Sequence, residues 1–196
     1  MGCLADIISL EQEVESLKIT LSLRSDFNLI DAFSMLDPSC RSELTPSELQ
    51  EQLLPLGVEL SDHELRLLFA RYADRPDLLT YSNFSDAFLP CDEHYCRQLI
   101  GKRLTFKDTT HEKREGGQEQ NAQWLTDLTC FDSETSHLFA SVWQAIARLE
   151  NATESIRRKL VRRPTFGLEK AFKSLDNDSD GFITVKDVSA LVSDLV

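Results

Sequence analysis

Three features of the sequence predict an all-α protein. Apolar residues recur at spacings of three and four near the N-terminus, a helix-then-turn pattern occurs in three copies, and one long amphipathic stretch lies toward the C-terminal end. With 196 residues the chain is long enough for one core or two small ones. Its 33 acidic against 21 basic side chains give a net charge of −12, which excludes a generic nucleic-acid binder. No apolar run approaches the roughly 18 residues that a membrane span needs.

The first element is a helix over about 5–23, in which Ile7, Leu10, Val14, Leu17 and Leu21 form a single stripe. One stripe needs one partner, which is either the helix's own domain or, through a short coiled coil or docking helix, another protein. Next, Leu29–Asp37 (LIDAFSMLD) and Leu168–Asp176 (LEKAFKSLD) share the pattern L-x-x-A-F-x-x-L-D; Leu65–Ala73 (LRLLFARYA) is a weaker copy without the final carboxylate. Each copy reads as a helix that stops at a turn, followed by an apolar residue (Leu44, Leu79 or Ile183) and a second helix. Thr45 with Glu48 and Ser61 with Glu64 make capping boxes, and Pro164 with Thr165 opens the helix of the last copy.

Charge divides along the chain: 1–100 is net −11, 101–165 is +2 and 166–196 is −3, the signature of two modules with different electrostatic roles. Between them His111–Asn121 (HEKREGGQEQN) is polar, holds the only Gly-Gly pair and has no apolar period, so it reads as a linker. A long helix from Ser136 to about Arg163 follows, with Leu138, Phe139, Val142, Trp143, Ile146, Leu149, Ile156 and Leu160 on one broad face. It ends in RRKLVRR, five cations in seven residues. These complement the helix dipole in solvent or meet an acidic surface, such as acidic tubulin tails or an anionic membrane face.

The chemistry sits in Asp176–Asp187, DNDSDGFITVKD. Asp176, Asp178 and Asp180 place carboxylates at alternate positions, and Gly181 supplies a turn that glycine takes cheaply. The Phe182 carbonyl faces inward, Thr184 holds a water and Asp187 closes the shell. A hard divalent cation asks for six to eight such oxygens at about 2.4 Å.

On these residues the chain resembles the EF-hand superfamily, over about Asp26–Pro90 and Thr165–Val196. The resemblance implies an EF-hand pair plus a C-terminal long helix leading into a single EF-hand: an N-terminal amphipathic helix at 1–25, a degenerate pair at 26–105, a linker at 106–135, and the long helix with the competent hand at 136–196. The metal ligands are then Asp176, Asp178, Asp180, Phe182, Thr184 and Asp187, and the ion is Ca2+. The family usually closes the loop with Glu. Asp187 is one methylene shorter, so weaker calcium binding and better tolerance of Mg2+ are expected.

The first loop, Asp37–Glu48 (DPSCRSELTPSE), has Ser39 for a carboxylate, Arg41 where an oxygen belongs and Ser42 for the glycine. The second, Ala73–Asn83 (ADRPDLLTYSN), is one residue short, with Asp77 the sole carboxylate near a ligand position. Both are expected to be empty, the pair holding its shape through Leu44 facing Leu79. The segment Leu89–Arg103 (LPCDEHYCRQLIGKR) is similar to the stretch just after the two-hand module of calmodulin-like, cytoskeletal protist proteins.

The odd cysteine set (Cys3, Cys40, Cys91, Cys96, Cys130) predicts a reducing, cytoplasmic setting. Asp6 stands where a myristoylation signal needs Ser or Thr, which argues against a lipid anchor at Gly2 or Cys3. Cys91, His94 and Cys96 lack the second cluster that a zinc site requires. No nucleophile elbow, phosphate loop or HExxH appears. The expectation is a non-enzymatic calcium-binding component of a larger cytoskeletal or ciliary assembly, partnered by protein such as a microtubule, with a dimer through the unpaired third hand. The alternative is a calcium sensor that exposes an apolar groove to a target helix; two Met in the chain count against it.

Overall fold

The structure is a computed structural model that describes residues 2–102, 131–176 and 178–195, with side chains placed over 5–190 of these. The linker reading at His111–Asn121 and Cys130 lie outside the described residues. Apart from one short antiparallel pairing and an isolated bridge between Arg75 and Leu78, the secondary structure of the described residues is helical, so what is described is all-α. It divides into two compact regions, 9–151 and 1–8 with 152–196. Helix α1 (Gly2–Leu23) and helix α7 (Ser133–Val161) each contribute to both.

Region 9–151 contains α2 (Leu29–Leu36), β1 (Glu43–Leu44), α3 (Pro46–Leu53), a 3-10 turn at Leu54–Leu56, α4 (Asp62–Tyr72), β2 (Leu79–Thr80), α5 (Tyr81–Phe88) and α6 (Glu93–Ile100). Short polar side chains start the helices by taking up orphan N–H groups. Asn28 accepts from the Asp31 N–H at 2.8 Å. Thr45 with Glu48, Ser61 with Glu64 and Thr80 with Asn83 form reciprocal capping boxes. Gly57 (φ +76°) closes the 3-10 turn in the left-handed region that glycine enters without penalty.

Strands β1 and β2 tie the first two copies of the repeat together. Their register sets Leu44 opposite Leu79, as the loop positions predict, and both leucines are fully buried. Beneath them lies an aromatic core. Phe84 stacks on Phe88 at 4.7 Å between ring centroids, and α7 adds Phe139, 5.2 Å from Phe88, and Trp143, 5.0 Å from it. Val142, Ile146 and Leu149 of α7 are buried as well. The N-terminal half of α7 is therefore core of region 9–151.

Residues 24–26 and 132–135 anchor the start of α7. Arg24 donates to Asp132 (2.6 Å), Glu134 (2.8 Å) and the Thr135 hydroxyl (2.9 Å), while that hydroxyl donates to Asp26 (2.8 Å). The Thr135 N–H bonds to Asp132 at 2.7 Å, which caps the helix and holds the Asp132 carboxyl below the usual carboxylate range. This cap is why α7 begins at Ser133, three residues before the predicted Ser136.

Helix α1 packs on its own region, the first of the two readings its stripe allows. Val14, Lys18, Leu21 and Ser22 are buried, Glu13 pairs with Arg148 at 2.6 Å, and Glu15 accepts from the Cys91 N–H at 2.8 Å. Burial pushes the Lys18 ammonium below its ordinary range, outweighing the pull of Cys91, Glu15 and Glu11. A base with a lowered folded pKa weakens the fold while it is charged. That penalty is relieved as pH rises from its folded pKa toward 10.5, because the unfolded chain then binds more protons. Lys18→Met is expected to be more stable than the native chain at pH 7, with the gap narrowing toward pH 10.5. Urea titrations of both proteins across that range check this; a constant gap would refute it.

In region 152–196, α8 (Leu168–Leu175) and α9 (Val185–Leu195) flank the third loop. Helix α8 starts at Leu168 behind Gly167, later than Pro164 and Thr165 predict, because the Phe166 N–H turns back to the Arg163 carbonyl at 3.0 Å.

Candidate metal centre

The three copies of the repeat fold alike at the level of single hydrogen bonds. The first residue of the first loop, Asp37, is buried and accepts from the Ser42 N–H five residues on at 2.6 Å; its counterpart Asp176 is buried and accepts from the Gly181 N–H at 3.0 Å. At the loop exits, Glu48 takes the N–H and hydroxyl of Thr45 at 2.9 and 2.8 Å, Asn83 those of Thr80 at 3.1 and 2.8 Å, and Asp187 those of Thr184 at 2.8 and 2.6 Å.

What differs is how each loop handles its charge. In the first, the Arg41 guanidinium reaches across to Glu48 at the loop's last position and donates to the Ser39 hydroxyl at 3.1 Å. A cation carried by the chain lies among the groups that would otherwise face an ion. In the second, the buried Asn83 amide donates to Asp74 at 3.0 Å, and Arg75 pairs with Glu43 outside the loop. Asp77, the carboxylate singled out from sequence, is exposed, and Asp74 is the one that closes this loop.

The third loop has no such device among the described residues. One carboxylate oxygen from each of Asp176, Asp178 and Asp180 lies within 4.8 Å of the others, and no lysine or arginine is paired with them; Lys173 is taken by Glu169 at 2.8 Å. Three carboxylate oxygens this close together could all touch one cation. Gly181 (φ +85°) and Ser179 (φ 57°) turn the chain here, and Asp180 itself accepts from the Phe182 N–H at 2.7 Å.

Of the six residues predicted as ligands, the structure brings three carboxylates together. Asp187 is buried, and its Oδ2 accepts the N–H and hydroxyl of Thr184 at the start of α9, while the Phe182 side chain is exposed. Among the described residues Asp176, Asp178 and Asp180 are the acidic, cysteine or histidine group placed to hold an ion. No family model, curated protein or solved structure matches the chain. The site is therefore read from its own geometry.

Proposed function

We propose that the chain is a non-enzymatic calcium-binding protein of EF-hand type, in which 9–151 is a metal-independent module and Asp176–Asp187 is the ion-binding loop. The observation that carries this reading is the contrast between loops of the same build. One is closed by Arg41 and one by Asn83, whereas the third gathers three carboxylates without a protein cation. Like charges so close repel by about 1 kcal/mol per pair even in water, and a divalent ion relieves that cost. Bound there, calcium would supply charge neutralisation and hold the loop between α8 and α9.

The biological setting we propose is structural or regulatory membership of a larger cytoplasmic assembly, cytoskeletal or ciliary. It rests on the exposed cations Arg157, Lys159, Arg162 and Arg163, which suit an acidic surface. The filled core of 9–151, where Phe139 and Trp143 of α7 lie against Phe88, favours a fixed module over a sensor whose groove awaits a target helix.

Calorimetric titration of the full chain tests the reading. One calcium per chain is expected, with a dissociation constant weaker than about 1 µM and competition from magnesium, because Asp187 is short. Asp187→Glu is expected to tighten calcium about tenfold. Sub-micromolar calcium without magnesium competition would overturn the role given to Asp187, and no heat for either ion would overturn the site.

A further inference from the structure

One cavity in region 9–151 plays no part in the ion-binding reading. Its volume is about 260 Å³, and it lies between α2, the first loop and the start of α5. Phe33 of α2 and Tyr81 of α5 wall it, edge to face at 5.6 Å between ring centroids, with Ile30 of α2 beside them. Asp37 lines it at the end of α2, and Cys40 and Ser42 line it along the loop. All of these residues belong to 9–151 and none to α7, so the cavity is a property of this region alone. Asp37 is buried, and each of its oxygens accepts one hydrogen bond, from the Ser39 hydroxyl at 3.1 Å and the Ser42 N–H at 2.6 Å. A carboxylate has about four acceptor positions, so two remain. Arg41 is turned to Glu48 and Ser39, and among the described residues no lysine or arginine pairs with Asp37.

We propose that this cavity binds a small organic ammonium with an apolar body, its nitrogen at Asp37 and its body between Phe33 and Tyr81. Three properties select that chemistry. The faces of aromatic rings attract a cation, and their carbon surface takes up an apolar body. A buried carboxylate without a cation from its own chain favours a positive charge and rejects an anion. Residues 1–100 are net −11, so the field around the cavity has the same preference. Volume sets the size. At roughly 30 Å³ for each water-sized unit, the cavity takes a ligand of on the order of nine heavy atoms, the size of phenethylammonium. A lysine arm of another protein presents the same charge but fills little more than half of it.

The inference goes beyond the ion-binding reading and does not depend on it, since no residue of Asp176–Asp187 takes part. Calorimetric titration of the full chain with phenethylammonium is expected to give a dissociation constant below about 1 mM. The neutral phenylpropanol, of similar shape, should bind at least about tenfold more weakly. Tyr81→Ala removes one wall and leaves the Thr80 cap of α5 in place, so it should weaken the ammonium at least about fivefold, while Tyr81→Phe should not. Asp37→Asn can still accept the Ser42 N–H and should abolish the preference for the ammonium over the alcohol. Since that change can also disturb the loop, the native chain supplies a second readout. Saturating phenethylammonium should slow alkylation of the free Cys40 thiol severalfold and leave that of Cys91 unchanged. No binding at about 10 mM, or equal binding of ammonium and alcohol, overturns the proposal. So does binding that ignores Tyr81→Ala and leaves Cys40 unprotected. Tighter binding of acetyl-lysine methylamide, with its free side-chain amine, would overturn it too and assign the cavity to a lysine arm. Amine binding in a chain that takes up no calcium upholds the cavity and rejects only the metal centre; calcium uptake without amine binding does the reverse.

Discussion

Trp143→Ala is expected to cost about 3–5 kcal/mol, a large share of the 5–15 kcal/mol that holds a typical domain together. Trp143 is fully buried, packed edge-on against Phe88 at 5.0 Å and within 6.2 Å of Phe84 and Phe139. Truncation leaves a cavity where α7 meets the repeat pair, and the surrounding rings, themselves fully buried, relax only in part. The indole N–H, buried and without a hydrogen-bond partner among the described residues, sharpens the test. Because Trp143→Phe removes that unpaired donor while keeping an aromatic ring, it should cost less than about 1.5 kcal/mol. Urea unfolding followed by far-ultraviolet circular dichroism reads both variants. Equal losses for Ala and Phe, or a loss under about 1 kcal/mol for Ala, would mean that α7 is not seated on the phenylalanine cluster.

Asp178→Asn with Asp180→Asn is expected to weaken calcium binding at least about 100-fold. The pair is chosen because Asp176 also accepts the Asp180 and Gly181 N–H groups, at 3.1 and 3.0 Å, which an amide oxygen could satisfy only in part. Asn at 180 can still accept the Phe182 N–H, so the turn survives while two of the three charges go. Helical content without added ion should match that of the native chain. Binding that persists unchanged would place the ion elsewhere, and Arg41→Ala would then show whether the first loop holds it.

Much of this was legible in the residues. Thr45 with Glu48 and Ser61 with Glu64 marked the starts of α3 and α4, whereas α8 starts behind Gly167, which offers no side-chain cap, and the opposition of Leu44 and Leu79 followed from their equal positions after the turn. The aspartate triad was legible because alternate acidic residues and a glycine force a tight loop. The destination of α7 was not. An apolar face states that a partner exists but not which, and the bonds that choose it, Arg24 to Asp132 and Glu134, join residues about a hundred positions apart. The closure of the second loop by Asn83 and Asp74 was also missed, because the two lie nine residues apart and Asp77 alone read as a carboxylate near a ligand position.

Arg41 gives the first loop a property that no dissolved ion could. A guanidinium tethered seven residues from its carboxylate has a local concentration fixed by the chain, so neither dilution nor a chelator removes it. On the proposed reading, the module built on that loop keeps one shape whether calcium in its surroundings is scarce or abundant, and ion exchange is confined to the aspartate loop of 152–196.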